Sequence, residues 1–179
     1  MGNPSTISLG PGKLKYALLG TTEPSDLVSA WPVGWVDLGY THAGSVFNYQ
    51  LNTEDVEVAE ELDPLRVVPT GRKITVEFIL AEITATNFKR SLNGGIITAG
   101  SGFVFFEPPA FGTETRAMYG WESDDVQERM VYRQCFSNGQ VSVQRQKGAN
   151  KAGIPLTLNL EKPAGVQPYR HYLVSPARA

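Results

Sequence analysis

GRKITVEFILAEITATNFKRSLNGG, residues 71–95, changes its hydrophobic period once and then stops on glycine. Over residues 72–80, Arg72, Ile74, Val76, Phe78 and Leu80 alternate with Lys73, Thr75, Glu77 and Ile79, the period of two that a strand shows when one face lies in a core. The spacing then becomes that of a helix. Phe88 and Leu92 are four apart, Thr84 or Thr86 can cap the N-terminus, and Lys89 and Arg90 sit toward the C-terminal end. Asn93-Gly94-Gly95 supplies a left-handed stop, so the spacing predicts a helix over residues 84–93.

Working outward, almost every other signal is β. VGWVDLGY (33–40) and SVFNYQL (45–51) read as a hairpin about the turn THAG (41–44), with Phe47, Tyr49 and Leu51 alternating against Val46, Asn48 and Gln50. EDVEVAEEL (54–62) reads as a short acidic strand leading into a loop with Asp63-Pro64, Pro69 and Gly71. The whole of 52–70 is expected as a prominent loop. Beyond the helix, short strands are expected at 103–106, 114–121, 128–136, 140–147, 154–162 and 169–174. Asn138-Gly139 is the clearest turn, since that pair tolerates the positive φ of a type I′ hairpin. One helix among so many strands predicts a mainly β fold, a sandwich or barrel-like body with one flanking α-helix, rather than alternating βαβ units. Residues 1–32, rich in Gly, Pro, Ser and Thr, read as an N-terminal arm carrying one isolated strand at 14–19. Residues 33–179 read as a single β domain.

Composition removes several function classes. With 16 basic against 18 acidic residues and a net charge of −2, the chain lacks the positive field that grips nucleic acid or an anionic membrane. Its single cysteine, Cys135, excludes an intrachain disulfide and lies among Tyr132, Gln134 and Phe136, as a buried structural thiol does. No apolar run of about 18 residues is present, and Met1–Ser8 has neither the basic nor the apolar region of a signal peptide, so a soluble, unexported chain is expected. His42 and His171 have no partner at metal-ligand spacing, no G-x-S-x-G elbow accompanies the serines, and no GK[ST] follows the glycines at 94–95 and 100–102. These features point away from metal, cofactor and catalytic chemistry. The aromatics Trp31, Trp35, Tyr40, Phe47 and Tyr49 could stack on bases or sugars, but without a basic companion patch they read better as core or subunit-contact surface.

The order of these motifs resembles that of a siphophage major tail protein, the tail tube subunit. The elements are the Gly/Pro-rich arm, W-x-D-L-G-x-T at 35–41, the acidic strand, D-P-L at 63–65, the strand–helix phrase ending in L-N-G-G at 92–95, and K-G-x-x-K-x-x-I-P-x-T at 147–157. Residues 96–125 depart from that pattern. The resemblance implies a fold similar to type VI secretion tube proteins, in which packed sheets close around a barrel-like core, and hexameric rings that stack into a conduit for DNA ejection. It implies residence in the virion tail after synthesis in the host cytoplasm, with the tape measure protein, tail terminator and distal tail proteins as partners.

Loop 52–70 is then the candidate inter-ring contact, with Glu54, Asp55, Glu57, Glu60, Glu61, Asp63 and Arg66 available for complementary charge; the arm is a second candidate. Gln140, Ser142, Gln144 and Gln146 share one face opposite Val141, Val143 and Arg145, and Thr157 and Asn159 oppose Ile154, Leu156, Leu158 and Leu160. That neutral polar surface is the candidate lumen lining, past which DNA moves without capture; its alternative is an ordinary solvated exterior. A type VI or contractile-injection tube subunit and a ligand-binding β-sandwich module are the competing readings.

Overall fold

A computed structural model describes residues 10–57, 63–138, 140–143 and 152–174 of the chain. Among them lie β1 (Gly12–Leu18), β2 (Val36–Asp37), β3 (Thr41–Val56), β4 (Arg66–Leu80), α1 (Ala85–Ser91), β5 (Ile96–Ala99), β6 (Val104–Glu107), β7 (Ala117–Ser123), β8 (Glu128–Ser137), β9 (Ile154–Leu160) and β10 (Tyr169–Leu173). The period read at residues 72–80 holds from Ile74 on with one exception: Ile74, Val76, Phe78 and Leu80 are buried and Lys73, Glu77 and Ile79 exposed, but Thr75 is buried as well, and Arg72, in phase with the core face, is exposed beyond the supported part of the strand.

One antiparallel sheet runs β2-β1-β7-β8-β9-β4-β3, and β10 also pairs with β8. β8 divides one edge between two partners, β10 along Glu128–Tyr132 and β9 along Cys135–Ser137. The sheet curls until its two halves share a core. Leu14, Tyr119 and Tyr132 from one half meet Val76, Phe78, Leu156 and Leu158 from the other. Phe47 stacks on Tyr132 at 6.2 Å and Phe78 lies 6.4 Å from Tyr119. The fold is thus mainly β and barrel-like, with one helix on its flank.

Local chemistry sets the helix ends. Thr84 accepts the Asn87 N–H at 3.1 Å as N-cap. At the other end Asn93 adopts φ 58° and the Gly94 N–H reaches the Lys89 carbonyl at 2.8 Å, the bond of a Schellman stop. The Asn93 side chain then acts as a strand surrogate, donating to the Ser137 carbonyl and accepting the Ser137 N–H, both at 2.8 Å. This ties the helix stop to the end of β8.

Three expectations change. The stretches 33–40 and 45–51 do not pair with each other: Val36 and Asp37 pair with Tyr16 and Lys15, while β3 pairs with β4. Residues 41–44 belong to β3, at a register slip where Gly44 has φ 77°. Alternation announces a strand but does not name its neighbour. Second, the strand expected at 14–19 is not isolated but lies between β2 and β7, paired from Gly12 to Leu18. It buries Leu14 on one face and Ala17 on the other, so no alternation marks it. Third, residues 140–143 are not in a strand, and β8 ends against β9 instead, with the Asn138 N–H on the Thr157 carbonyl at 3.0 Å. The apolar face of β9 is worth more against β8 than a local polar hairpin would be. Gly139 and the remainder of the expected 140–147 strand, from 144 on, lie outside the described residues.

Residues 19–35, expected as part of an arm, lie as a strap over the outer face of β7, β8 and β10. Arg133 forks onto Glu23 at 2.6 and 3.0 Å, the Tyr172 hydroxyl donates to the Pro24 carbonyl at 2.6 Å, and Arg129 donates to the Asp26 carbonyl at 2.7 Å. Trp31 and Trp35, 4.6 Å apart, cover a small second cluster of Ala17, Met118 and Val131. Gly120 is required beneath them, because a Cβ there would sit 2.4 Å from the Trp31 ring.

Candidate assembly surfaces

The hairpin β3–β4 outruns the sheet that supports it. β9 covers β4 only from Thr75 to Leu80, and among the described residues no strand covers the other edge of β3. Beyond Tyr49 and Ile74 no described side chain of either strand is buried, and Leu51, Val56, Leu65 and Val67 are 45–61% exposed. Most of the expected loop 52–70 is therefore a two-stranded ladder, Asn52 to Val56 against Gly71 to Arg66, closed by the Leu65 N–H on the Val56 carbonyl at 2.9 Å. Pro69 and Gly71 misled the sequence reading for a physical reason. The register slips between Asn52 and Thr53, leaving Thr70 as the extra residue of a bulge, a place where a strand tolerates proline.

That pairing redistributes the candidate charges. Glu54 lies across from Val68 and Val56 from Arg66 on one face of the ladder; Asp55, across from Val67, faces the other way. Glu57 and Asp63 flank the tip, and Glu60 and Glu61 lie outside the described residues. Among the described residues the candidates form no single acidic patch, although residues 54–66 as a stretch of sequence hold six carboxylates and one arginine, a net of −5 on a chain whose total is −2.

The second candidate surface is the sheet face turned away from the core. Register places Asn48 beside Thr75, Thr75 beside Asn159, and Glu77 beside Thr157, so three strands contribute to one polar strip. The Asn48 amide donates to Thr75 Oγ1 at 3.5 Å and Glu77 Oε1 at 3.3 Å, and Asn159 donates to Asn138 Oδ1. Thr157 and Asn159 are half-buried here, opposite the buried Ile154, Leu156 and Leu158. Gln140 and Ser142 are exposed while Val141 and Val143 pack against the core, so the alternation holds although 140–143 are not paired. Gln144 and Gln146 lie outside the described residues. Sequence reasoning saw the alternation of Asn48 and of Thr75 with Glu77, but their union with Thr157 and Asn159 is a product of register.

The chemical groups elsewhere are tied up. Cys135 is buried and its thiol pKa is pushed well above the ordinary value by desolvation, as are the Tyr119 and Tyr132 hydroxyls. His171 Nε2 lies 2.7 Å from Glu128 Oε1. Among the described residues no three His, Cys, Asp or Glu side chains gather to hold a metal ion, and no helix is long and apolar enough to cross a membrane. The sequence-selected aromatics do not converge: Trp31 and Trp35 clasp the strap, Phe47 enters the core, and Tyr40 and Tyr49 stand exposed.

No curated protein matches the chain. The family model of the phage tail tube protein matches residues 2–154, from ahead of β1 through the projecting hairpin and the capped helix to the first residue of β9, so Thr157 and Asn159 of the polar strip lie beyond the match. With the curled antiparallel sheet and its single flanking helix, that match decides the identity: the chain belongs to the phage tail tube protein family, a structural component of the virion tail.

Proposed function

We propose that this chain forms hexameric rings that stack into a tail tube through which the genome passes, without enzymatic activity and without a cofactor. The observation that carries the reading is the β3–β4 hairpin, which projects beyond its sheet with apolar side chains and carboxylates unburied. A lone two-stranded ribbon is marginal in water, so an extension of this length gains most of its order from a partner. Stacked rings supply one: the ribbon, residues 52–70, reaches the adjacent ring with Glu54, Asp55, Glu57, Glu60, Glu61, Asp63 and Arg66 as its charged contacts. The polar strip of Thr157 and Asn159, continued by Gln140, Ser142, Gln144 and Gln146, faces the lumen, where these neutral side chains, beside the Glu77 carboxylate, do not capture DNA. The tape measure protein fills the lumen before ejection, and the terminator and distal tail proteins close the ends.

Negative-stain microscopy of the purified protein, dilute and then concentrated or nucleated, tests the proposal. Hollow six-fold rings or tubes are the expected result. Compact monomers alone, even with an initiator complex present, refute it.

A further inference from the structure

The segment between α1 and β7 holds a conspicuous exposed apolar surface. β5 and β6 form a separate two-stranded sheet anchored to α1 by Phe106 on Phe88, with ring centroids 6.1 Å apart. Its outward face carries Ile96, Phe103 and Phe105, exposed by 63, 61 and 45%. Beyond it Phe111 is fully exposed at the tip of a turn. The Thr113 N–H and hydroxyl both bond the Ala110 carbonyl, at 3.0 and 2.7 Å, and Gly112 takes the positive φ of 85° that such a turn needs after Phe111. The chain thus builds a stiff turn in order to hold a phenyl ring in water. Contiguous apolar surface of this kind marks an interaction site.

The same chain presents a matching recess. On the outer face of β7 and β8, Leu19, Pro24, Met118, Pro163 and Val166 line an open groove of about 640 Å³, large enough for a phenylalanine ring and its neighbours. Met118 belongs to the small cluster on the groove side of the sheet, whereas α1, which carries β5–β6 through Phe88 and Phe106, packs against the main core on the other side, so groove and knob are distinct surfaces. Charge agrees as well. Glu107 is the one charged residue between 96 and 113, while the groove holds Arg133 and Arg170 around one carboxylate, Glu23, which pairs with both (Arg170 at 3.4 Å), and exposed Lys162 stands beside Pro163, so the balance of the groove is positive.

We propose that the Phe111 turn and the outward face of β5–β6 seat in the groove of a second copy of this chain, with Glu107 against Arg170. Because knob and groove are distinct surfaces, the contact is head-to-tail. It propagates around a ring or along a stack rather than closing a two-fold dimer. The proposal rests on the tube reading only for the supply of neighbours.

Single-cysteine variants Phe111→Cys and Val166→Cys decide it; the native Cys135 is buried and stays out of the reaction. Mixed and mildly oxidised under tube-forming conditions, they should give disulfide-linked dimers about tenfold above either variant alone, and the double variant should give a ladder. Tubes that form without the cross-link overturn this contact and leave the tube reading standing. Phe111→Cys linking to itself as readily as to Val166→Cys also overturns it. If the parent makes no tubes, the tube reading fails. The same cross-link scored in the concentrated soluble protein then supports the seat, and its absence there overturns it. Phe111→Asp adds an independent check: its melting temperature should match the parent, since the ring touches nothing in the monomer, while oligomers are lost.

Discussion

Deleting residues 55–67 and joining Glu54 to Val68 through Asn-Gly removes the distal ribbon while keeping a directly opposed pair for a two-residue type I′ turn. The connection shrinks from nine residues, 57–65, to two, which lowers the closure entropy by about 1.3 kcal/mol. Against this stand Val56, Leu65 and Val67, each about half in water already, whose combined loss is on the order of 2 kcal/mol. The two terms nearly cancel, and a residual of about 1 kcal/mol moves the melting temperature of a chain this size by roughly 2–4 °C. Assembly should respond far more. If each copy in a ring loses even roughly 1 kcal/mol of inter-ring contact, six copies lose about 6 kcal/mol, or some four decades in the stacking constant. The deletion removes five acids and one arginine, so the net charge moves from −2 to +2, a shift that ion-exchange elution verifies. Circular dichroism should match the parent and melting should stay within those few degrees of it, while microscopy shows rings but no filaments. Tubes of normal length from the shortened protein would refute the assignment of the ribbon to the ring contact; a collapse in melting temperature would refute the claim that it adds little to the monomer.

Three further outcomes follow from the same structure. Ser142→Lys with Thr157→Lys should leave tubes intact but slow genome ejection at low salt, with relief at high salt; ejection equal to the parent at low salt places this face outside the lumen. Glu122→Ala leaves the buried Arg129, 2.5 Å from that carboxylate, without its counter-charge, a loss of about 3–5 kcal/mol. Arg129→Met should cost less, and urea melts ranking the two the other way refute the clasp. Because burial raises the Cys135, Tyr119 and Tyr132 pKa values, their contribution to stability is intact below the ordinary values of 9.0 and 10.0 and is lost as pH rises beyond them. Each group then removes about 1.4 kcal/mol per pH unit, and urea midpoints unchanged between pH 8 and 11 contradict their burial.

The sequence by itself determined those features whose cause is local. Alternation marked the buried face of β4, Asn93-Gly94 marked the C-terminal end of α1 and narrowed its start to Thr84 or Thr86, between which the structure chooses Thr84, and the run of strand signals marked a mainly β body; all of these depend on residues within a few positions of one another. Partner choice needed the tertiary structure. Nothing near Val36 says that it pairs with Tyr16, and nothing near Asn138 says that Thr157 outcompetes the adjoining turn, because the apolar area that decides each pairing lies far along the chain. The strap escaped notice because Gly, Pro and Ser describe equally well an arm and a segment pinned by Arg129 and Arg133. The candidate surfaces divide in the same way. Thr157 and Asn159 were legible as a polar face, but only register set them beside Asn48, Thr75 and Glu77. The acidic strand was legible from Glu54, and β3 bears it out as far as Val56, but only strand pairing showed that residues 66–71 return beside it, making a projecting ribbon of what read as a loop. A period of two tells which side of a strand is wet; it is the folded sheet that decides what stands beside it.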